Sequence, residues 1–275
     1  MSRLRCYMNW LALEGLGPFS NGRINAIKAA GYDGIQFVDP LDRAALAEAR
    51  ANSLGVCGSS RINEPAEASP VAQAAADAGF ECLTLHLGWG MESDDEGARL
   101  IEAVLEAGSR HNIPLYVETH RATLFQDMQR TVKFIERFPE LQFNGDFSHW
   151  YTGNEMVYGG FERKLELIQP VIERVRFLHG RIGNPGCMQV AITADDDSSY
   201  VAHFRTLWTK CFEAFLRATS QQQTFITFTP ELLAQDIFYA RTFNGVEESD
   251  RWQQSLLLVK IARECFARTE QAAVI

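Results

Sequence analysis

The sequence predicts a (β/α)8 TIM barrel, and three observations carry that reading. Short, nearly continuous apolar runs recur along the chain, as in strands covered on both faces. A helical pattern follows each run, which is the order that builds a parallel sheet. The length, 275 residues, suits one such barrel. A doubly wound open sheet ranks second, because no glycine-rich phosphate loop follows the first run.

The strands are placed as follows. The first run is 4–11, and the second, Gly34–Val38, is closed by Asp39-Pro40. The third is 55–59, and the fourth, 82–87, carries His86 near its end. Leu115–Glu118 is the fifth, 141–146 the sixth and Val175–Gly180 the seventh. The eighth, 224–229, is closed by Pro230-Glu231.

Helices fill the gaps. One over 20–30 stops at Gly31, a residue that suits the left-handed position after a helix. Others cover 41–54, stopping at Gly55, and 66–78, stopping at Gly79 with Pro70 near the start. Ser93-Asp94-Asp95-Glu96 reads as a capping box that opens a helix to residue 110. Further helices are expected over 124–138, 162–174, 200–220 and 250–268. Leu256, Leu257, Val259, Ile261 and Phe266 of the last suit one helical face, which can close the barrel or pack a homo-oligomer. The longest irregular stretches, 181–199 and 235–249, follow late strands and belong on the C-terminal face, where long loops shape pockets. There is no linker and no repeat beyond the βα period, so one barrel domain is expected over 1–275.

A net charge of −9 argues against a nucleic-acid partner, which wants a clustered basic face. The six cysteines (Cys6, Cys57, Cys82, Cys187, Cys211 and Cys265) form no C-x-x-C pair and read as reduced thiols of a cytoplasmic protein. Asn9 and Glu14 break the first apolar run, unlike a signal peptide, and no apolar stretch reaches membrane-spanning length.

Residues at the C-terminal ends of barrel strands converge on one mouth. Strand four ends in His86, strand five in Glu118 with His120 beyond, and strand six in Asp146 with His149 beyond. Strand seven ends in His179 with Arg181 beyond, and strand eight in Glu231. Strands one to three are poorer, with Asn9 and Trp10, then Gln36 and Asp39, then Ser59, Ser60 and Arg61. Glu118, Asp146, His179 and Glu231 place three carboxylates and one imidazole around a single point. Crowded carboxylates repel and raise one another's pKa. One divalent cation relieves this, and the mixed ligand set suits Mn, Mg, Co or Zn.

Other roles stay open for each residue. A strand-end carboxylate can also cap the next helix or pair with an arginine. His86 reads as a hydrogen-bonded barrel histidine or a substrate contact, and His111 and His203, in helical context, as packing residues. His120 can orient Glu118, contact substrate or satisfy a loop. Arg181 can bind a substrate oxygen or pair with a carboxylate. Trp10, Phe147, Trp150 and Tyr151 can stack on a sugar face or pack internally.

At these residues the sequence resembles the xylose isomerase-like barrels of the sugar phosphate isomerase/epimerase group. Val117-Glu118-Thr119-His120-Arg121 resembles the fifth-strand segment, Asp146-Phe147-Ser148-His149-Trp150 the sixth-strand D-x-x-H, His179-Gly180-Arg181 the seventh-strand histidine, and Thr229-Pro230-Glu231 the final glutamate. The resemblance implies a single divalent metal on Glu118, Asp146, His179 and Glu231, with Glu118 and Glu231 also serving as acid and base. The resemblance does not place a substrate-binding arginine, because the segment after His179 departs from the common epimerase pattern; in the mechanism expected here His149 and Arg181 position substrate oxygens. The apurinic endonuclease branch needs a histidine on strand three and a D-x-H after strand seven. Here stand Ser59 and Ser60, and Gly-Arg-Ile-Gly-Asn-Pro-Gly.

The expected activity is isomerisation or epimerisation of a small sugar, keto-sugar or polyol derivative through an enediolate. Two alternatives remain. One is a dehydratase of the inositol or dehydroshikimate type on the same barrel. The other is a sugar-binding protein without catalysis.

Overall fold

The computed structural model describes residues 3–218 and 224–272. Eight parallel strands close into a barrel: β1 (Arg3–Asn9), β2 (Gly34–Val38), β3 (Gly55–Ile62), β4 (Leu83–Leu87), β5 (Leu115–Glu118), β6 (Phe143–Asn144), β7 (Val175–Gly180) and β8 (Phe225–Pro230). Each pairs with the next, and β8 returns to β1 in a register running from Arg3↔Phe225 to Cys6↔Phe228. Closure leaves no unpaired strand edge. Helices α1 (Arg23–Ala29), α2 (Arg43–Ala51), α3 (Ala68–Asp77), α4 (Asp94–His111), α5 (Met128–Arg137), α6 (Phe147–Gly153), α7 (Phe161–Leu167), α8 (Gln169–Ile172), α9 (Ser199–Arg217) and α10 (Arg251–Ala272) surround it.

Local chemistry explains the helix starts. Asp42 and Asp127 accept from the backbone N–H of Ala45 and Arg130. Ser93 and Glu96 make the expected capping box. Each such cap satisfies N–H groups that have no partner inside the helix. Gly31 and Gly79 adopt φ +79° and +63° just past α1 and α3, a conformation that side-chain-bearing residues resist.

Side chains alternate faces along a strand, so positions two apart share one. Tyr7, Cys57, Tyr116 and Phe177, from β1, β3, β5 and β7, are buried in one apolar cluster. Two positions further along stand Asn9, Ser59, Glu118 and His179. Gln36 and Thr84, from β2 and β4, hydrogen-bond each other at 3.0 Å. The barrel interior thus changes from apolar to polar toward the C-terminal ends of its strands. Outside the strands, a larger cluster packs Ile101, Trp150, Leu207, Trp208 and Phe212 against Leu85, Phe143 and Phe228.

Several elements differ from expectation. Strand β3 continues to Ile62, pairing Arg61 with His86 and Ile62 with Leu87, so Ser60 and Arg61 lie within it rather than beyond it. Strand β6 is only Phe143–Asn144, with a register shift against β7 between those two residues. Helix 162–174 divides into α7 and α8, with Pro170 in the first turn of α8. Helix α6 was not anticipated. The irregular stretch 235–249 holds a short ladder of β9 (Thr242–Phe243) and β10 (Val246–Glu247). The expected helix end at Ser220 lies outside the described residues. All six cysteines are free thiols. Among the described residues, no helix is long and apolar enough to cross a membrane.

Gly180 tests closure directly. A Cβ there would overlap the ring of Phe228 on the adjoining strand. Gly180→Ala should therefore destabilise the barrel by about 1–3 kcal/mol through overpacking, read as a lower urea midpoint with an unchanged slope.

Candidate metal centre

The C-terminal ends of β5, β7 and β8, with the turn after β6, bring four potential ligands together. Glu118, Asp146, His179 and Glu231 each offer one donor atom, all within 4.8 Å of one another. Glu118, Asp146 and His179 are fully buried, while the Glu231 side chain is 12% exposed. His179 Nδ1 lies 3.2 Å from Glu118 Oε2 and 3.5 Å from Glu231 Oε2. Asp146 also takes both of the alternative roles open to such a carboxylate. Its Oδ1 caps α6 at Ser148 N (3.0 Å), and its Oδ2 accepts from Arg181 Nη2 at 2.6 Å. The same Arg181 nitrogen donates to Glu231 Oε2.

A second tier of buried amides holds these groups in place. Asn144 Nδ2 donates to Glu118 Oε2 at 2.9 Å and lies 3.1 Å from His179 Nδ1. The His179 backbone N–H returns to Asn144 Oδ1. His179 Nε2 is 2.9 Å from Gln36 Oε1. Gln36 is oriented in turn, because its Nε2 donates to Thr84 Oγ1 and its Oε1 accepts from Asn9 Nδ2. Asn9 also donates to Glu231 Oε1 at 3.2 Å. Gln36 Oε1 therefore takes the Nε2 proton, so that Nδ1 is the nitrogen turned to the carboxylates, the outer-shell arrangement usual behind a metal-ligating histidine.

The charges respond to burial and to each other. Burial pushes His179 toward its neutral form, but the carboxylates of Glu231 and Glu118 outweigh this and raise it to about 9. Burial also opposes the charge on Glu118, yet His179 and His86 hold its carboxyl well below the usual range. Arg181 and His149 do the same for Asp146 against its own burial. Burial holds His120 and His149 below the ordinary imidazole value, His120 at about 2.

The donor set fits a divalent cation. Arg181 offsets one of the three carboxylate charges, and the two that remain match such an ion. Glu118 Oε1 is buried without a hydrogen-bond partner, its nearest neighbour being His86 Nε2 at 3.4 Å.

The remaining expected residues divide. His86, His120 and His149 form a row beside Glu118, with ring centroids 4.1 and 3.7 Å apart. His86, Glu118 and His120 also offer donor atoms within 4.8 Å of one another. Arg181 is fully buried beneath the Tyr239 ring at 4.5 Å, and its Nε and Nη1 have no hydrogen-bond partner. Trp10 is half-buried and packs on Phe37 at 5.7 Å. Trp150 requires a correction. It is wholly buried in the outer apolar cluster, and its indole N–H is taken by Phe125 O at 2.9 Å, so it offers no face to a ligand. The side of α6 facing the barrel wall accounts for this, since Phe147 and Tyr151 are buried with it.

Sequence reasoning noted Asn9 and Gln36 but gave them no role, and it passed over Thr84, Asn144 and Tyr239. A polar residue inside an apolar run, as in Ile35-Gln36-Phe37 or Phe143-Asn144, was the available signal. Nothing local marks Tyr239, which a long loop delivers.

The fold is that of the xylose isomerase-like barrels. No family model matches the sequence, and no curated protein matches it. Among solved structures, D-allulose 3-epimerase from Methylomonas sp. in complex with D-allulose superposes at TM-score 0.61 with 13% identity, covering 96% of this chain and 98% of that one. A xylose isomerase-like TIM barrel protein from Mycobacterium smegmatis in complex with magnesium gives 0.59 and 12%, covering 99% and 98%. The probable 3-DHS dehydratase AsbF of petrobactin synthesis from Bacillus anthracis gives 0.53 and 13%, covering 95% and 97%. At such identities the likeness concerns the fold.

If Gln36 sets the His179 tautomer, Gln36→Leu should weaken divalent-ion binding about 10–100-fold, read by chelator competition, while Trp150→Ala should lower stability by about 3–5 kcal/mol and leave ion affinity intact.

Proposed function

We propose that the protein is a divalent-metal-dependent isomerase or epimerase of a small sugar, keto-sugar or polyol derivative, acting by proton transfer next to a carbonyl. The observation that carries this reading is the convergence of Glu118, Asp146, His179 and Glu231 within 4.8 Å at the mouth of the barrel. These four residues would hold the ion. When bound, it would supply Lewis-acid polarisation of substrate carbonyl and hydroxyl oxygens.

The chain's own groups supply the proton chemistry. Glu118 and Glu231 both approach His179 Nδ1, at 3.2 and 3.5 Å, which makes them the pair to take and return the proton. Holding a cation and moving a proton are compatible for Glu118, because its oxygens differ. Oε2 is fixed by Asn144, while Oε1 has no hydrogen-bond partner. Glu231 is the more exposed carboxylate and so the one that exchanges its proton with solvent. General acid–base help of this kind contributes roughly 10²–10⁴-fold. Arg181, with its two unpartnered donors, and His149, whose ring nitrogens lack hydrogen bonds, would orient substrate oxygens. Return of the proton to the opposite face of the same carbon gives epimerisation, and return to the neighbouring carbon gives isomerisation.

A second reading draws on the imidazole row. His86, beside Glu118, could protonate a β-hydroxyl as it leaves, which would make the enzyme a dehydratase. An enone chromophore or aromatic product would separate this from isomerisation.

Purified protein should retain one divalent ion. Glu231→Gln should abolish exchange of a substrate C–H with solvent deuterium, followed by NMR over a ketose panel. Exchange at the wild-type rate would sink the assignment of Glu231.

Removing the ion by chelation should lower the melting temperature reversibly. An ion present at about 100 times its Kd stabilises by about 2.7 kcal/mol, so readdition should restore the transition.

A further inference from the structure

All the acidic groups of the four-ligand cluster already have cationic or amide partners: Arg181 bridges Asp146 and Glu231, and Asn144 holds Glu118. On the other side of the imidazole row stand two arginines that form no ion pair among the described residues. Arg61 is the penultimate residue of β3, and Arg121 follows β5. Arg61 Nη1 donates to Gly88 O at 2.8 Å, its guanidinium lies 4.3 Å over the Trp89 ring, and its Nη2 is 3.5 Å from His86 Nδ1. Arg121 lies 5.1 Å over the ring of Tyr239, whose hydroxyl is 3.3 Å from His120 Nε2. Consecutive contacts therefore run from Arg61 through His86, His120 and Tyr239 to Arg121.

Among the described residues, no carboxylate lies within ion-pair distance of either arginine. The nearby Glu92 is turned to the backbone N–H groups of Trp89 and Gly90, at 2.6 and 2.8 Å. Arg241 and Arg251, by contrast, are paired with Glu248 and Glu247. Arg61 and Arg121 are instead held by a carbonyl and by aromatic faces, which fix a guanidinium in place without neutralising it. Two such groups at the mouth of a chain of net charge −9 run against its overall balance. A neutral polyol needs neither of them. An anion needs both their charge and their hydrogen-bond donors.

We propose that the substrate carries an anionic group, a carboxylate or a phosphate, received by Arg61 and Arg121 at the His86–His120 end of the imidazole row while its carbonyl end faces the four-ligand cluster. This rests on the functional reading above and narrows it to sugar acids or sugar phosphates. Arg61 and Arg121 are the specificity-determining residues, and neither belongs to the cation-holding or proton-transferring set.

The test is calorimetric titration of the metal-reconstituted protein with paired probes: D-fructose against D-fructose 1-phosphate and 6-phosphate, and against 5-keto-D-gluconate. At least one anionic member should bind about tenfold or more tightly than the neutral ketose, with a margin that shrinks at high salt. Arg61→Gln and Arg121→Gln should each erase most of that margin without changing binding of D-fructose, and Arg61→Lys should retain part of it. Preference for the phosphates alone assigns a phosphate, and preference for the keto acid alone assigns a carboxylate. Equal affinity across the pairs, no measurable binding of any anionic member, or a preference that survives both Gln substitutions would overturn the proposal. Melting curves of the Gln variants that match wild type exclude misfolding, and the Lys variant supplies the same comparison with the charge kept. Binding is read without turnover, so failure here leaves the deuterium-exchange result for Glu231→Gln standing, and failure there leaves this one standing.

Discussion

Pairing of Arg3–Cys6 with Phe225–Phe228 joins the first strand to the last, and everything at the mouth depends on that closure. An open sheet would spread its strand ends along a line. A closed parallel sheet bends them into a ring. Glu118 and Glu231 are separated by more than a hundred residues of chain, yet both stand within 3.5 Å of the same imidazole nitrogen. The apolar layer of Tyr7, Cys57, Tyr116 and Phe177 supports this ring from below and excludes water from beneath it.

Burying three carboxylates together is the expense that this arrangement creates. The structure meets it with Arg181, with the His179 imidazole and with a tier of side-chain amides. The amides matter because they fix geometry without adding charge. Gln36 joins Asn9, Thr84 and His179 across the barrel axis, and Asn144 ties Glu118 to His179. A cation bound by the four ligands would enter a site whose orientation is already set, which is the condition for precise positioning of substrate.

The ring of the mouth has two halves of different character. One half gathers the carboxylates and their counter-charges. The other carries Arg61, Arg121 and the His86–His120 end of the imidazole row, under the cover of Tyr239. That division separates the place where a proton would move from the place where a substrate would be recognised. Both halves come from loops and strand ends of one face, so the recognition half can vary without disturbing the barrel below.

The sequence by itself determined the strand order, the βα alternation and the four residues, Glu118, Asp146, His179 and Glu231, that converge at the mouth. Each of these rests on short-range pattern: apolar runs, capping residues, and a polar group where such a run ends. It left Asp146 open between ligand, helix cap and arginine partner, and the folded chain has it capping α6 and pairing with Arg181. It could not tell a pocket aromatic from a core one, because Trp150 directly follows His149 on a helix whose buried side only packing reveals. Nor could it single out Gln36, Asn144 or Tyr239. Their importance lies in partners 35 or more residues away, Gln36 and Asn144 reaching His179 and Tyr239 reaching His120. Local preference decides which segments become strands and helices, whereas only closure of the barrel decides which of their side chains share a point in space.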